Sequence, residues 1–555
     1  MAEFHFSPRP NRAAEIKWRD WSPDAFEEAR QQDRPILLSI SAVWCHWCHV
    51  MDETTYSSQP VIDLLNSDYV PVRVDNDVRP DINQRYNMGG WPTTAFLTPQ
   101  GDILTGATYL PPDEMRQALV TISSYYRTHK PEIAARVLEG KKRTGTAVAS
   151  SAASIDASLV DAILRAVEAA YDPTYGGFGT APKFPQTDVL QLLGEQAILR
   201  DESRFADMAR HTLTQMASGG TYDQVEGGFF RYSTTQDWSV PHFEKMLEDH
   251  AGLVSALALV GMPVVLDRTT AYLDRVLRDA ETGLYAGSQD ADDHYYSLDV
   301  AGRAQLQAPY VDRRVYSAWN CALAVAYLEA DMLLDRPALK EHARGLLDRL
   351  FEQRFDSETG LQHLDGVGGQ LGDQAWGLLA AVRAYSAGLG SGWRDAAQAL
   401  ADHLERGYGD ERFGGYFDHA GGDGLGRLQE PLKPLGENSI AVIALLELDT
   451  LLGNPEGPLR ERARRALESV AALPRQYGTM AAVFARALDR WLRPATKVTT
   501  SSRALARAAL QVNPYAVLEP GDGARAIVCI GTTCLAPVTT VDAVGDALRA
   551  QTQVG

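Results

Sequence analysis

A chain of 555 residues, 45% hydrophobic and 23% charged, is too long for one hydrophobic core, so two or three domains are expected. Its formal net charge of -19 argues against nucleic acid or an anionic membrane surface as the main partner, because both need a positive footprint. No stretch reaches the roughly 18 apolar residues of a membrane span, Met1 to His5 does not begin a signal peptide, and five cysteines make no disulfide scaffold, so a cytoplasmic protein is expected.

Residues 1–135 read as alternating helices and strands. Ser22-Pro23-Asp24 starts a helix to about Gln32. Ile36 to Val43 is an apolar strand, and a helix follows from Cys48. Pro60 to Leu65 is helical, Tyr69 to Val74 is a strand, and Pro80 to Tyr86 is a helix. Thr94 to Leu97 and Ile103 to Leu104 form a hairpin around Pro99-Gln100-Gly101-Asp102, and Pro112 opens a helix to about Tyr126. The order β-α-β-α-β-β-α predicts a thioredoxin-like α/β domain. Residues 136–154 end in a Gly, Ala, Ser and Thr stretch and read as a linker.

From residue 155 to 497 the pattern is helical. Apolar positions at helix spacing run through Leu159–Glu168, Val189–Ile198, Phe205–Met216, Asp249–Leu259, Thr270–Arg278, Trp319–Leu333, Ala338–Phe351, Gln374–Ala387, Trp393–His403, Ser439–Leu448 and Arg462–Leu473. A Gly turn recurs between alternate helices: Gly176-Gly177-Phe178, Gly227-Gly228-Phe229, Gly283-Leu284-Tyr285, Gly360-Leu361 and Gly414-Gly415-Tyr416, each a few residues after an aspartate. Repeated hairpins with repeated turns predict an all-α (α/α)6 toroid. Residues 498–555, with Ala526 to Ile530 as a strand and Asp542 to Leu548 as a helix, predict a small C-terminal α/β cap.

Two constellations carry chemistry. The first is Cys45-His46-Trp47-Cys48-His49, directly after the apolar strand. At a strand-to-helix turn, unpaired backbone N–H groups and the helix dipole favour a thiolate on Cys45, with Cys48 one turn inside to resolve it. His46 between them lowers the Cys45 pKa further, and Trp47 flanks the pair. Gly89-Gly90-Trp91-Pro92 precedes a strand, which makes Pro92 a candidate cis-proline facing the cysteines. The alternatives are structural zinc on Cys45, Cys48, His46 and His49, c-type haem attachment, and an inert reduced pair. Cys529 and Cys534 are a second possible pair.

The second constellation gathers carboxylates and aromatics around the turns of the helical region. His242, with Glu244 near by, is the candidate for proton transfer, and Asp290 and Asp292 are candidate carboxylate partners. Asp223, Arg231, Tyr232, Trp238, Lys245, Trp319, Asn320, Asp373, Glu437 and Asn438 are candidate ligand contacts on one rim. The opposing reading makes them helix caps and core. No cofactor motif and no metal ligand set is assigned.

Several of these residues together resemble one family. Trp44-Cys45-His46-Trp47-Cys48-His49-Val50-Met51, Gly89-Gly90-Trp91-Pro92, Lys183-Phe184-Pro185, Pro241-His242-Phe243-Glu244-Lys245-Met246-Leu247, Gln289-Asp290-Ala291-Asp292 and Trp319-Asn320 are similar to motifs of the spermatogenesis-associated thioredoxin-domain family, with its bacterial YyaL-like members. The resemblance implies a thioredoxin-like domain followed by a toroid similar to those of N-acylglucosamine 2-epimerase-like and unsaturated-glycan hydrolase enzymes. It names no reaction. One departure is a nearly absent helix between Tyr86 and Gly89, expected to open the wall beside Cys45.

Three functions follow. One is thiol–disulfide exchange at Cys45 and Cys48 with a protein thiol or disulfide client. Another is a sugar epimerase or glycan hydrolase acting on a carbohydrate-like small molecule in the toroid. The last is a non-catalytic protein that binds a ligand or client.

Overall fold

The computed structural model describes residues 4–148, 154–421 and 424–552. They form two compact units. The first comprises Met1–Ser151 with two short segments, Asp290–Asp292 and Gly421–Pro431, and the second comprises the rest.

The first unit is built on β1 (Ile36–Ser41), β2 (Val70–Asp75), β3 (Thr93–Leu97) and β4 (Ile103–Ala107), in the order β2-β1-β3-β4. β1 runs parallel to β2, with Leu38 opposite Val72, and antiparallel to β3, with Leu38 opposite Ala95. Side chains alternate across a strand. Ile36, Leu38 and Ile40 therefore join Phe26 and Val72 on one face, while Leu37 joins Met51, Tyr56, Phe96 and Leu119 on the other. Both faces are covered, which is why β1 reads as a continuous apolar run. Helix α1 (Pro23–Gln32) begins at Ser22, whose hydroxyl accepts from the Ala25 N–H. Helix α2 (His46–Glu53) follows β1 after four residues. The strand order and the flanking helices are those of a thioredoxin-like fold.

The stretch read as a linker is different. A helix spans Lys130–Val148, because its Lys, Glu, Ala, Arg and Leu residues are good helix formers. The remainder of that expected linker, 149–153, lies outside the described residues.

The second unit is a closed ring. Its inner helices are Thr187–Arg200, Leu247–Leu259, Ser317–Leu334, Leu371–Ser386, Leu435–Leu451 and Ala482–Leu492; each packs on the next, and the last returns to the first. Each inner helix has an outer partner, in the same order Ser203–Ser218, Pro263–Tyr272, Pro337–Arg354, Gly392–Tyr408, Pro458–Val470 and, closing the ring, Ala157–Ala170. The inner helices are apolar almost all round, as buried helices are: Leu435–Leu451 buries all its residues but Gly436 and Glu437. This is an (α/α)6 toroid. Its sixth inner helix is absent from the sequence reading, which stops at Leu473. That helix is short and carries Arg486 and Arg490 inside its buried set, which breaks the apolar signal.

The C-terminal segment forms a small sheet in the order Val517–Glu519, Thr496–Thr500, Ala526–Ile530, Thr533–Cys534, with the helices Arg503–Val512 and Val541–Thr552. It packs on the inner helices of the ring. Cys529 and Cys534 sit directly opposite one another in a tight hairpin and are bonded. With Cys45–Cys48 also bonded, Cys321 is the free cysteine, buried in the third inner helix.

Candidate functional sites

In the first unit, Cys45 is the residue that caps α2. Its backbone is extended, and its Sγ accepts from the Cys48 N–H at 3.2 Å. That places one sulfur where the helix leaves unpaired donors. The two sulfurs are joined in a disulfide. Among the described residues there is no group of three or more His, Cys, Asp or Glu side chains able to hold a metal. The Trp91–Pro92 bond is cis. Trp91 meets the edge of Trp44 at 5.5 Å, and the Trp44 indole N–H donates to Asp77 at 2.7 Å. Trp47 is 45% exposed and lies 5.3 Å from the Tyr109 ring, with His46 against its other side.

The expected opening beside Cys45 is not there. Cys45 is only 3% exposed and Cys48 2%. His49, one residue further, is also buried, and desolvation first, then the nearby His5, Arg73 and His46 charges, push its pKa down to about 3. It is therefore a neutral imidazole, and its Nδ1 lies 3.4 Å from Asp290 Oδ2 without forming an ion pair. Asp290 and Asp292 group with the first unit, where Asp290 is the carboxylate beside His49.

In the second unit, the recurring turn explains most of the remaining candidates. Its pattern is Asp-x-x-x-Gly, at Asp172, Asp223, Asp279, Asp356 and Asp410. One carboxylate oxygen of each accepts from the N–H groups two and three residues on. The turn closes on a glycine at positive φ: at Gly227, φ is +83° and an added Cβ would lie 2.7 Å from the Arg268 carbonyl oxygen. In three copies a lysine clamps the turn. Lys183, Lys245 and Lys433 each donate from Nζ to the aspartate and to the carbonyl oxygen of the closing glycine.

Asp223 and Lys245 are thus interior parts of a structural turn, 2.7 Å apart, with Arg303 also donating to Asp223 at 2.7 Å. Burial pushes Lys245 down to about 8, and Asp223 opposes that shift. Asn320 and Asn438 are structural as well. Each accepts from the turn's aromatic N–H and donates to the same residue's carbonyl, at Tyr285 and Tyr416. Gln374 does the same at Leu361, and His250 accepts the Phe229 N–H at 2.9 Å. Asp373 closes a capping box with Gln370 and holds His363 at 3.0 Å. Trp238 is fully buried, with its N–H donated to Tyr175 at 2.9 Å. Trp319 packs on Tyr316, and Glu437 lies in the first turn of its helix; both are half-buried.

What remains is one compact constellation. His242 lies on the strand Pro241–His242, paired with Tyr232–Ser233. Its Nδ1 is 3.0 and 3.1 Å from the two oxygens of Glu244, which is buried. Its ring stacks on Tyr232 at 4.6 Å, and Tyr232 stacks on Phe184, also at 4.6 Å. The Arg231 guanidinium lies over the Tyr232 ring at 5.8 Å. A carboxylate fixing Nδ1 leaves Nε2 of a part-exposed imidazole to take or give a proton. Asp249 adds a carboxyl that desolvation raises to about 6, against the opposing pull of Arg231. Phe184, 42% exposed, and Asp249 were not among the sequence candidates. The stack around His242 could have been sought from the aromatic at 232, ten residues before it.

Residues 9–142 match the family described as Thioredox_DsbH, Protein of unknown function, DUF255. The chain is 35% identical over 310 residues to human spermatogenesis-associated protein 20; the match covers 50% of this chain and 39% of the human protein. It therefore spans about two fifths of the length of that relative. Over 84 residues it is 34% identical to thiol:disulfide interchange protein DsbD 1 of Pseudomonas aeruginosa, covering 14% of each chain. The structure of cellobiose 2-epimerase from Spirochaeta thermophila matches with a TM-score of 0.47 and 17% identity, over 60% of this chain and 94% of that one. The chain joins a thioredoxin-like domain to an (α/α)6 toroid and is similar to spermatogenesis-associated protein 20 over the matched stretch. Among the described residues no helix is long and apolar enough to cross a membrane.

Proposed function

We propose that the Cys45–Cys48 pair carries out thiol–disulfide exchange with a protein thiol client. The observation that carries this is the placement of Cys45 as the cap of α2, bonded to Cys48 and accepting the Cys48 N–H. A client thiolate attacks Cys45 Sγ, the Cys45–Cys48 bond breaks, and Cys48 leaves as a thiolate that takes a proton from water. A second client thiolate attacks its own mixed-disulfide sulfur, closes the client disulfide and releases Cys45 as a thiolate. Two electrons pass from client to pair; the reverse sequence reduces the client. The similarity to the Pseudomonas thiol:disulfide interchange protein supports the same reading over the matched stretch. The near-complete burial of Cys45 restricts the client to a thiol on an extended or flexible segment. The test is a Cys48→Ala variant incubated with oxidised client proteins. A mixed disulfide mapped to Cys45 supports the reading, and reaction no faster than at Cys321 overturns it.

A second reading concerns the toroid and is carried by the Glu244-oriented His242 with its stacked aromatic wall. A flat aromatic face, an arginine and a carboxylate–imidazole pair suit proton transfer on a hydroxyl-rich small molecule. The check is solvent deuterium exchange at C2 of free aldoses, followed by NMR. Exchange that disappears in His242→Gln supports it; a panel of mono- and disaccharides that neither bind nor exchange removes it.

A further inference from the structure

The inner helices of the ring carry a second polar set in their C-terminal halves, away from the turns. Glu195, Ser255, Glu329, Arg383, Glu447 and Arg490, one from each helix, line a single cavity of about 90 Å³. Gln191, Ser386 and Arg486 also line it, and the rest of the wall is apolar, partly from the C-terminal segment at Leu510, Pro514, Val517 and Leu518.

The charges in this cavity pair off unevenly. Arg486 donates twice to Glu195, at 3.0 Å each. Arg383 meets both oxygens of Glu447 at 2.7 Å, and Ser255 donates to Glu329 at 2.7 Å. Arg490 and Glu329 are held more loosely: Arg490 shares Glu447 with Arg383, and Glu329 lies 3.9 Å from Arg383. Arg490 is 8% exposed, its nearest carboxylate oxygen is that of Glu447 at 3.8 Å, and its Nε and Nη1 have no hydrogen-bond partner. Its guanidinium lies 4.3 Å over the Tyr515 ring, and the Tyr515 hydroxyl is already donated to Asp489. A second wall group, the buried Ser386 hydroxyl, also lacks a partner.

Arginine cannot lose its proton inside a protein, and buried N–H donors left without acceptors are costly. Nε–H and Nη1–H lie on different edges of the guanidinium, so each is a separate donor offering a single charge-assisted hydrogen bond to an oxyanion. The volume corresponds to about three waters, at roughly 30 Å³ each. We infer that this cavity binds a small oxyanion, a carboxylate or phosphate group held by Arg490, with any short aliphatic tail lying against Leu510, Val517 and Leu518. This site is separate in residues and chemistry from the His242 constellation.

The test is calorimetric titration of the full chain with sodium butyrate and, separately, inorganic phosphate, at fixed ionic strength. One site per chain is expected for at least one of them. Arg490→Met should weaken it by about tenfold or more, the scale of losing a charge-assisted hydrogen bond. Arg231→Ala should leave it unchanged, which separates this cavity from the rim. Butyrate binding without phosphate binding assigns an organic acid, and the reverse assigns inorganic phosphate. Binding that survives Arg490→Met, or no binding of either anion at 50 mM, overturns the inference. If Arg490→Met does not fold, crystals of the unaltered protein soaked in selenate give the same decision. An anomalous peak within hydrogen-bond reach of Arg490 supports the site, and none there overturns it.

Discussion

The cysteine turn and the His242 strand hold reactive groups in opposite ways. At Cys45 the reacting sulfur caps the first turn of a helix, and both cysteines are buried. In the toroid, Asp172, Asp223 and Asp410 with Lys183, Lys245 and Lys433 serve instead as clamps of one repeated turn. His242 and Glu244 stand apart because that pair keeps a part-exposed imidazole edge. An abundance of polar residues is thus a poor sign of a site; a polar residue that the fold does not already occupy is a better one.

The sharpest way to break this comparison is to remove each reactive group in turn. Cys45→Ser should lower exchange by at least about a thousandfold, since the attacked sulfur is gone, while His242→Gln leaves exchange intact. Insulin-type disulfide reduction assays on both variants check this. If His242→Gln also abolished exchange, the two sites would not be independent.

Next in size is the distinction between clamp and site. Asp223→Ala leaves Lys245 and Arg303 as buried cations, and should cost about 3–5 kcal/mol in urea unfolding. Asp279→Ala removes the same turn bonds with no lysine behind them, and should cost about 1 kcal/mol. Equal costs would mean that the lysine clamp contributes nothing.

The pH dependence sharpens the contrast further, because two rim neighbours titrate with opposite sign. His250 is held neutral by burial, with its pKa pushed down to about 4. The native state then binds fewer protons than the unfolded chain below about pH 6.5, so its contribution is complete above that pH. It is lost as pH falls through about 4. His250→Gln should remove on the order of 2–3 kcal/mol of that acid loss.

Asp249 runs the other way. Its folded pKa of about 6 lies above the unfolded carboxyl value, so the native state binds the extra proton between about pH 4 and 6. Stability on its account falls as pH rises through that window. Because the side chain is part-exposed, the effect is about 1 kcal/mol at most, and Asp249→Asn should flatten it. Denaturant midpoints at pH 4, 5, 6 and 7 for both variants measure the two slopes.

Much of this was readable along the chain. The thioredoxin-like order follows from apolar runs bounded by turns, and the cis bond before Pro92 follows from its place ahead of β3. The toroid follows from helix-period patterns and the five Asp-x-x-x-Gly turns. The roles of Asp223, Lys245, Asn320 and Asn438 did not, because their partners are backbone groups 18 to 35 residues away or carboxylates across the turn. Sequence spacing does not report those distances. The approach of Asp290 to His49 was not legible either, because the two lie far apart in the chain.

Local order, the order of the elements and the chemistry of the Cys-x-x-Cys pair were determined by residue type, because periodicity, turn chemistry and helix-terminus electrostatics act within a few residues of one another. Exposure, partner choice and leftover charge were decided only by the tertiary structure. They depend on which distant groups arrive at the same point, and that is why the covered sulfur of Cys45, the part-exposed edge of His242 and the two N–H groups of Arg490 without acceptors emerge only from the folded chain.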